Sequence, residues 1–247
     1  MIKRSIIIAA LLLWCNGVIA QNDPSIVRVV TITPKPGMNT DLEKGLKDHN
    51  DKFHKRAGYE VYTWQIISGD DYGSYLRATG RKNWKDFDNE DDPPEDAEHW
   101  NKYVTPYVEE STGQEYWKRY SNLSYNGLAD NSSSEMSNVT FFSIRDGYAS
   151  EFLELQAQAK EANENTKRKS RYSFYRRVNG GDMMEMGTVT AVNSWADMES
   201  TGMTFGDRIN KVHGKNAWDK WIATFQKVVE KRETQMRIYR PDLSIGN

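Results

Sequence analysis

The stretch WNKYVTPY at residues 100–107 returns as WDKWIATF at residues 218–225, with the tryptophan, the lysine, one aliphatic and the final aromatic residue in matching positions. A second pair, WKDFD at 84–88 and WADME at 195–199, precedes the first in both places. Self-similarity of this kind is typical of a repeated structural unit. We therefore predict that the chain contains one unit twice.

Both copies have the same predicted order of elements, β-α-β-β-α-β. The first spans residues 24–125 and the second residues 137–245, and a linker rich in Ser, Asn and Asp fills residues 126–136. Each copy should form a four-stranded antiparallel sheet with both helices on one face. Because the predicted strands are apolar on both faces, the second face also needs cover. We predict an α+β fold in which two tandem ferredoxin-like units pack as an intramolecular pseudo-dimer.

In order of elements, residues 26–245 resemble the dimeric α+β barrel superfamily of ferredoxin-like proteins. The resemblance depends on this topology and on the paired Trp-x-Asp and Trp-x-Lys segments. The superfamily includes antibiotic-biosynthesis-monooxygenase-like domains and the haem-binding chlorite dismutase group. It implies two sheet-forming units combined in one barrel, and a small molecule or haem held between sheet and helices. Fold likeness supports a function only by analogy.

Residues 1–20 have the features of a secretory signal peptide: Lys3 and Arg4, a short apolar run, and Val-Ile-Ala before Gln21. We expect an exported protein, periplasmic or secreted, without a transmembrane segment. The single cysteine, Cys15, lies in this leader, so the remaining chain cannot form disulfides. Without the leader, 31 basic residues (33 less two) face 35 acidic ones, which gives no indication of nucleic-acid binding.

Two histidines are candidate ligand-binding residues. His49 falls on the apolar stripe of the first helix, where the second copy has Ala159, so it could mark an asymmetric pocket or be a hydrogen-bonded histidine at the edge of the core. His213 lies in the insertion before the second WDKWIATF-like helix. By resemblance to the haem-binding relatives, it is the best-placed haem ligand, and an exposed helix-end histidine is the alternative.

Four further candidates lie on predicted strands. Trp64 belongs to an aromatic wall that suits either a pocket or an interface. Arg77, and Arg177 close to Tyr175, are charges on strands that should be covered. The planar fork of an arginine could clamp a carboxylate there, and a salt bridge to a helix is the alternative.

Other polar residues are interpreted as solvent-facing. His54 and His99 stand beside charged residues. Residues 86–98 contain eight carboxylates in thirteen positions but fail the pattern of a calcium loop, so we expect a solvated acidic loop. The chain carries no recognisable metal-binding motif, and no metal or cofactor is predicted, although haem stays possible.

Three functions follow from these candidates. The first is an exported, non-catalytic module that binds a small apolar or aromatic molecule, or a protein partner. The second is a cofactor-independent monooxygenase-like enzyme, and the third is a haem protein with His213 as ligand. An enclosed cavity with His49, Trp64 or Arg77 on its wall would favour an enzyme, whereas a packed interior would favour the interaction module.

Overall fold

The structure is a computed structural model that describes residues 25–88, 90–128, 134–199 and 202–246. The predicted leader, residues 1–20, lies outside these ranges. In chain order the elements are β1 (Ile26–Pro34), α1 (Asn39–Phe53), β2 (Tyr62–Ile66), β3 (Tyr75–Arg81), α2 (Lys85–Asp88), α3 (Pro94–Tyr103), β4 (Val108–Ser111), β5 (Glu115–Arg119), β6 (Tyr125–Asn126), β7 (Met136–Ile144), α4 (Ala149–Asn165), β8 (Arg171–Asn179), β9 (Glu185–Val192), α5 (Phe205–His213), α6 (Ala217–Val228) and β10 (Val229–Tyr239).

Eight of the strands form one closed antiparallel barrel. Their order around the ring is β3-β2-β10-β7-β9-β8-β5-β1, and β1 pairs with β3 to close it. The short strands β4 and β6 extend β1 and β8 outside the ring. Two seams join the halves of the chain: β5 pairs with β8, and β2 pairs with β10.

The prediction of two tandem ferredoxin-like units is wrong. The strands do not form two separate sheets packed face to face, because the edge strands of each half pair with those of the other half. A four-stranded sheet leaves two edges of unpaired backbone N–H and C=O groups. The pairings β5–β8 and β2–β10 satisfy both edges at once, so the chain forms a single barrel. The boundaries proposed at residues 24–125, 126–136 and 137–245 stay predictions.

The helices cover the outside of the barrel. Helices α4, α5 and α6 pack on one side through a large aromatic and aliphatic cluster that includes Phe152, Phe174, Ile209 and Trp221. A smaller cluster with Leu42, Leu46, Tyr75 and Val104 lies beneath α1 and α3. Among the residues that the structure describes, no helix combines the length and the apolar character needed to span a membrane.

Helices α1 and α3 approach each other closely at Gly45. A Cβ atom at this position would lie 2.0 Å from the carbonyl oxygen of Tyr103, so only glycine fits here. This close approach brings the side chains in the last turns of α1 next to the start of α3. It thereby sets the spacing of a histidine cluster described below.

Candidate functional site

The interior of the barrel is a cavity of about 700 Å³. Because side chains alternate between the two faces of a strand, every second residue of each barrel strand points into it. The lining residues of β8 and β9 show this alternation: Arg171, Ser173, Tyr175 and Arg177, then Glu185, Gly187, Val189 and Ala191. An eight-stranded barrel is just wide enough either to be filled by side chains or to hold one small ligand. Here the inward side chains leave room for a ligand.

Aromatic and aliphatic side chains form a large part of the cavity wall, and polar residues, including five carboxylates, form the rest. The aromatic ones are Trp64, Trp117, Phe141 and Tyr175. Aliphatic residues complete the surface, among them Val27, Val29, Leu76, Val139, Val189 and Ala191. Such a wall suits a planar, largely apolar molecule, and the volume falls within the range of about 300–1,000 Å³ that is typical of small-molecule sites.

Arg177 anchors a charged network on this wall. Its Nη2 atom lies 3.0 Å from Glu115 Oε2 and 2.8 Å from Glu185 Oε2. Burial raises the pKa of Glu185, although the charge of Arg177 opposes the shift. Two carboxylates therefore share one arginine, and Glu185 holds a proton more readily than an exposed glutamate does.

Arg237 also lines the cavity, and none of the described carboxylates forms a salt bridge with it. Among the described residues its side chain makes one hydrogen bond, from Nε to Gln235 Oε1 at 2.6 Å. Burial lowers the pKa of Arg237 to about 10, which keeps the side chain charged at neutral pH. A buried cation without a paired anion is costly. The terminal N–H groups of Arg237 are therefore available to an anionic group of a ligand.

Arg177 and Arg237 each contact a different member of an aromatic pair. The Arg237 guanidinium lies 5.7 Å from the centre of the Phe141 ring, and that ring is 5.9 Å from the ring of Trp117. The Arg177 guanidinium lies 4.9 Å from the Trp117 ring. A planar molecule against Phe141 and Trp117 would thus have the unpaired cation at one end and the Glu185–Arg177 pair at the other.

Tyr175 faces the same cavity, and burial raises the pKa of its phenol. Its hydroxyl is therefore neutral at physiological pH and can donate or accept a hydrogen bond.

A second polar cluster lies outside the barrel wall, beneath α1 and α3. Arg77 points outward from β3, donates from Nη2 to Asn50 Oδ1 at 2.8 Å and stacks 4.9 Å from the Trp100 ring. His49 lies beside it, with Nε2 3.6 Å from Asp96 Oδ1. Burial, reinforced by the charge of Arg77, lowers the pKa of His49 to about 3.

The six predicted ligand-binding residues fall in three places. Trp64, Tyr175 and Arg177 line the barrel cavity, whereas His49 and Arg77 meet in the outer cluster. His213 ends α5, where its Nε2 lies 3.1 Å from the carbonyl oxygen of Gln158. The structure therefore places Trp64, but neither His49 nor Arg77, on the wall of the cavity.

Two interpretations of exposed residues are wrong. His54 and His99 do not simply face solvent: their rings lie 5.3 and 5.5 Å from the ring of His49. Residues 86–98 are not one solvated loop, because α3 begins at Pro94 and Glu90 forms ion pairs with Arg28 and Arg81. Helix packing brings these polar groups together.

The sequence does not single out five further residues of the cavity wall: Glu115, Trp117, Phe141, Glu185 and Arg237. Each lies on a strand with alternating polar and apolar residues, which is also the pattern of a solvent-facing strand. The one signal in the sequence is that residues of opposite charge occupy alternating positions on several of these strands, the positions that point inward in the barrel.

No known protein-family profile matches the sequence, and no curated protein matches it. Solved structures do share the fold. An anthrone oxidase-like protein superimposes with a TM-score of 0.56 at 11% identity, covering 91% of this chain and 95% of that one. A candidate monooxygenase from Lactobacillus acidophilus NCFM gives 0.53 at 8% identity, with 90% and 96% covered. Chlorite dismutase from Candidatus Nitrospira defluvii, solved with imidazole, gives 0.53 at 7%, with 89% and 93% covered.

At these identities the likeness concerns the fold alone. The barrel is similar to those of monooxygenase-like and chlorite dismutase-like proteins, the two groups named by the resemblance seen in the sequence. It identifies no specific protein.

Proposed function

We propose that the barrel binds a planar aromatic molecule with an acidic group, and that the protein oxidises this molecule with O₂ without a bound cofactor. The observation that carries the proposal is Arg237, a buried cation that has no carboxylate partner among the described residues and faces an aromatic cavity. A ligand that supplies the missing anion would remove the cost of the unpaired charge.

The same cavity supplies groups for proton removal. Glu185, ionised in its pair with Arg177, is positioned to accept a proton from an acidic C–H or O–H group of the ligand. Arg237 would hold the resulting oxyanion. Because the site is largely apolar, its fixed positive charge stabilises that anion more strongly than water would.

For an anthrone-like substrate the reaction balances without a further reductant. The substrate carbanion donates an electron pair to O₂, and a C–O bond forms. The second C–H proton then leaves as the O–O bond breaks, which gives a ketone and one molecule of water. Two C–H bonds of the substrate are cleaved, and each supplies two electrons. O₂ accepts all four electrons.

The fold neighbours favour this enzyme hypothesis over a purely structural binding module. Two of them are described as an anthrone oxidase-like protein and a candidate monooxygenase. Binding itself depends on the cavity and Arg237 and not on these neighbours, so the two parts of the proposal are separable.

The residues near His213 do not fit haem. Phe152, Phe174, Met186 and Ile209 are each 0% exposed and fill the space between α4–α6 and the barrel. His213 itself contacts the Gln158 carbonyl at the helix surface. We therefore assign no step to haem.

Titration of the purified protein with 2-naphthoate and with its uncharged amide tests the binding step. We expect the carboxylate to bind more tightly than the amide and Arg237→Met to remove this preference, weakening the carboxylate by roughly tenfold or more. Arg176→Met is the matched control. Arg176 is the neighbour of Arg177 on β8, points away from the cavity and donates a hydrogen bond to the Met183 carbonyl oxygen. Equal binding of 2-naphthoate by wild type and Arg237→Met would contradict the proposal.

Oxygen uptake with anthrone, measured in the presence of a chelator, tests the reaction. The proposal predicts consumption of one O₂ per anthrone oxidised and loss of activity in Glu185→Gln. A range of acidic aromatic compounds should be tested in the same way. If they bind tightly but none of them leads to oxygen uptake, the function is that of a binding module.

A further inference from the structure

Three of the four histidines of the chain meet at one place on the outside of the barrel. Two of them, His49 and His54, stand with Asp96 such that one ligand atom of each lies within 4.8 Å of the others. The barrel cavity does not include these residues. They are therefore independent of the function proposed above.

We propose that His49, His54 and Asp96 bind a divalent transition metal ion. Two imidazoles and a carboxylate are ligands that suit Zn²⁺ and Fe²⁺, and three protein ligands leave at least one coordination position open to water.

The spacing of His49 and Asp96 supports a shared ion. Their closest atoms, Nε2 and Oδ1, are 3.6 Å apart, which is too long for a hydrogen bond. Two ligand atoms bound to one tetrahedral ion at about 2.1 Å stand roughly 3.4 Å apart. The pair is thus already at a distance that one metal ion can bridge, and a ring nitrogen of His54 lies within 4.8 Å of a ligand atom of each residue.

His54 has the support that metal-binding histidines usually have. Its Nδ1 lies 2.8 Å from the carbonyl oxygen of Tyr59, so Nδ1 carries the proton and the lone pair is on Nε2. A hydrogen bond from the second ring nitrogen to a backbone carbonyl fixes the tautomer and orients the ring for a metal.

His49 contains an unsatisfied atom. The residue is only 2% exposed, and its Nδ1 is buried without a hydrogen-bond partner, so an ion bound at Nε2 would be held by a ring that packing rather than a hydrogen bond orients. Burial lowers the pKa of His49 to about 3 and that of His54 to about 4, so both imidazoles are neutral at pH 7 and able to ligate. Asp96 is partly exposed and gives an ion access from solvent.

Arg77 limits the affinity. Its guanidinium lies in the same cluster and carries a charge that repels a cation. We therefore expect micromolar rather than nanomolar binding, and a preference for a dication whose charge Asp96 partly balances.

Calorimetric titration with Zn²⁺, together with the visible spectrum of added Co²⁺, tests the site. We expect one ion per chain, and roughly tenfold or more weaker binding in His54→Gln and in Asp96→Asn. His213→Gln and Asp146→Asn are the matched controls, because His213 ends α5 and Asp146 is exposed in the turn after β7, and both variants should bind as wild type does. Circular dichroism establishes that each variant is folded.

The Co²⁺ spectrum separates coordination from loose association, because its visible bands intensify when inner-sphere protein ligands replace water and lower the coordination number. Absence of binding, or binding that His213→Gln weakens and His54→Gln leaves unchanged, would overturn the proposal. Neither result would bear on the proposed oxidation in the barrel, since oxygen uptake is measured in the presence of a chelator.

Discussion

Gln235 and Arg237 stand two residues apart on β10, and the amide oxygen of Gln235 accepts a hydrogen bond of 2.6 Å from Nε of Arg237. An uncharged amide therefore orients this buried guanidinium, in contrast to Arg177, which has two carboxylate partners. The difference leaves Arg237 without a directly paired carboxylate among the described residues, although the charges of Asp71 and Glu115 act on it from a distance. The charge of Arg237 is the feature on which ligand binding should depend.

Replacing the amide by a carboxylate should close the site to anions. In Gln235→Glu the new side chain would pair with Arg237, and we expect 2-naphthoate to bind roughly tenfold more weakly while its uncharged amide is unaffected. Gln158→Glu, the same change on the exposed face of α4, is the control. Fluorescence titration of both variants checks the prediction, which fails if Gln235→Glu binds the carboxylate as tightly as wild type.

The oxidation rate should depend on the ionisation of Glu185. A general base acts in its ionised form, so activity should rise with pH through the pKa of Glu185, which burial places above the usual value of 4.5. We expect Glu185→Gln to keep ligand affinity and lose turnover, and Glu230→Gln, an exposed change, to keep both. A rate independent of pH between 4 and 8 would exclude this role.

Gly45 should be essential to the packing of α1 on α3. Because a Cβ atom would lie 2.0 Å from the Tyr103 carbonyl oxygen, Gly45→Ala must push the helices apart, at a cost of about 1–3 kcal/mol in the free energy of unfolding. Gly113→Ala, with nothing within 4 Å of the new atom, should change stability little. Urea denaturation measures both. The same displacement should weaken metal binding, because it moves His49 away from Asp96.

An ion pair joins α1 to the chain after β10. Both terminal nitrogens of Arg240 bond the Glu43 carboxylate, at 2.5 and 2.9 Å. These bonds lower the pKa of Glu43 below 4.5, so their contribution to stability is present above pH 4.5 and is lost as pH falls through the lowered value.

Glu43→Gln should therefore cost about 1–2 kcal/mol at pH 7, and this difference from wild type should shrink at pH 3. Unfolding by urea at the two pH values measures it. Asp51→Asn disrupts the exposed Asp51–Lys55 pair and should change stability by less than about 0.5 kcal/mol. A deficit in Glu43→Gln that is equal at both pH values would show that the ion pair is not its cause.

The strands and helices could be predicted from periodicity and turn residues, whereas the closure of the strands into one barrel could not. Closure depends on which edges meet, and the edge strands β5 and β8 contain charged residues that resemble a solvent-facing surface. Only the pairing of Trp117 with Arg177 across the seam shows that these residues point inward.

The candidate site was predictable in part for the same reason. Trp64, Tyr175 and Arg177 are noticeable in sequence because they are large or charged on otherwise apolar strands. Asp96 is not noticeable in the sequence, because it lies in an acidic stretch. Only its contact with His49 distinguishes it from its neighbours.

The most direct measurement is a crystal structure of the protein with bound 2-naphthoate. We expect the aromatic rings inside the barrel, against Phe141 and Trp117, with the carboxylate within hydrogen-bond distance of the Arg237 guanidinium. A ligand bound outside the barrel, or an interior filled by side chains with Arg237 paired to a carboxylate of the protein, would contradict this prediction.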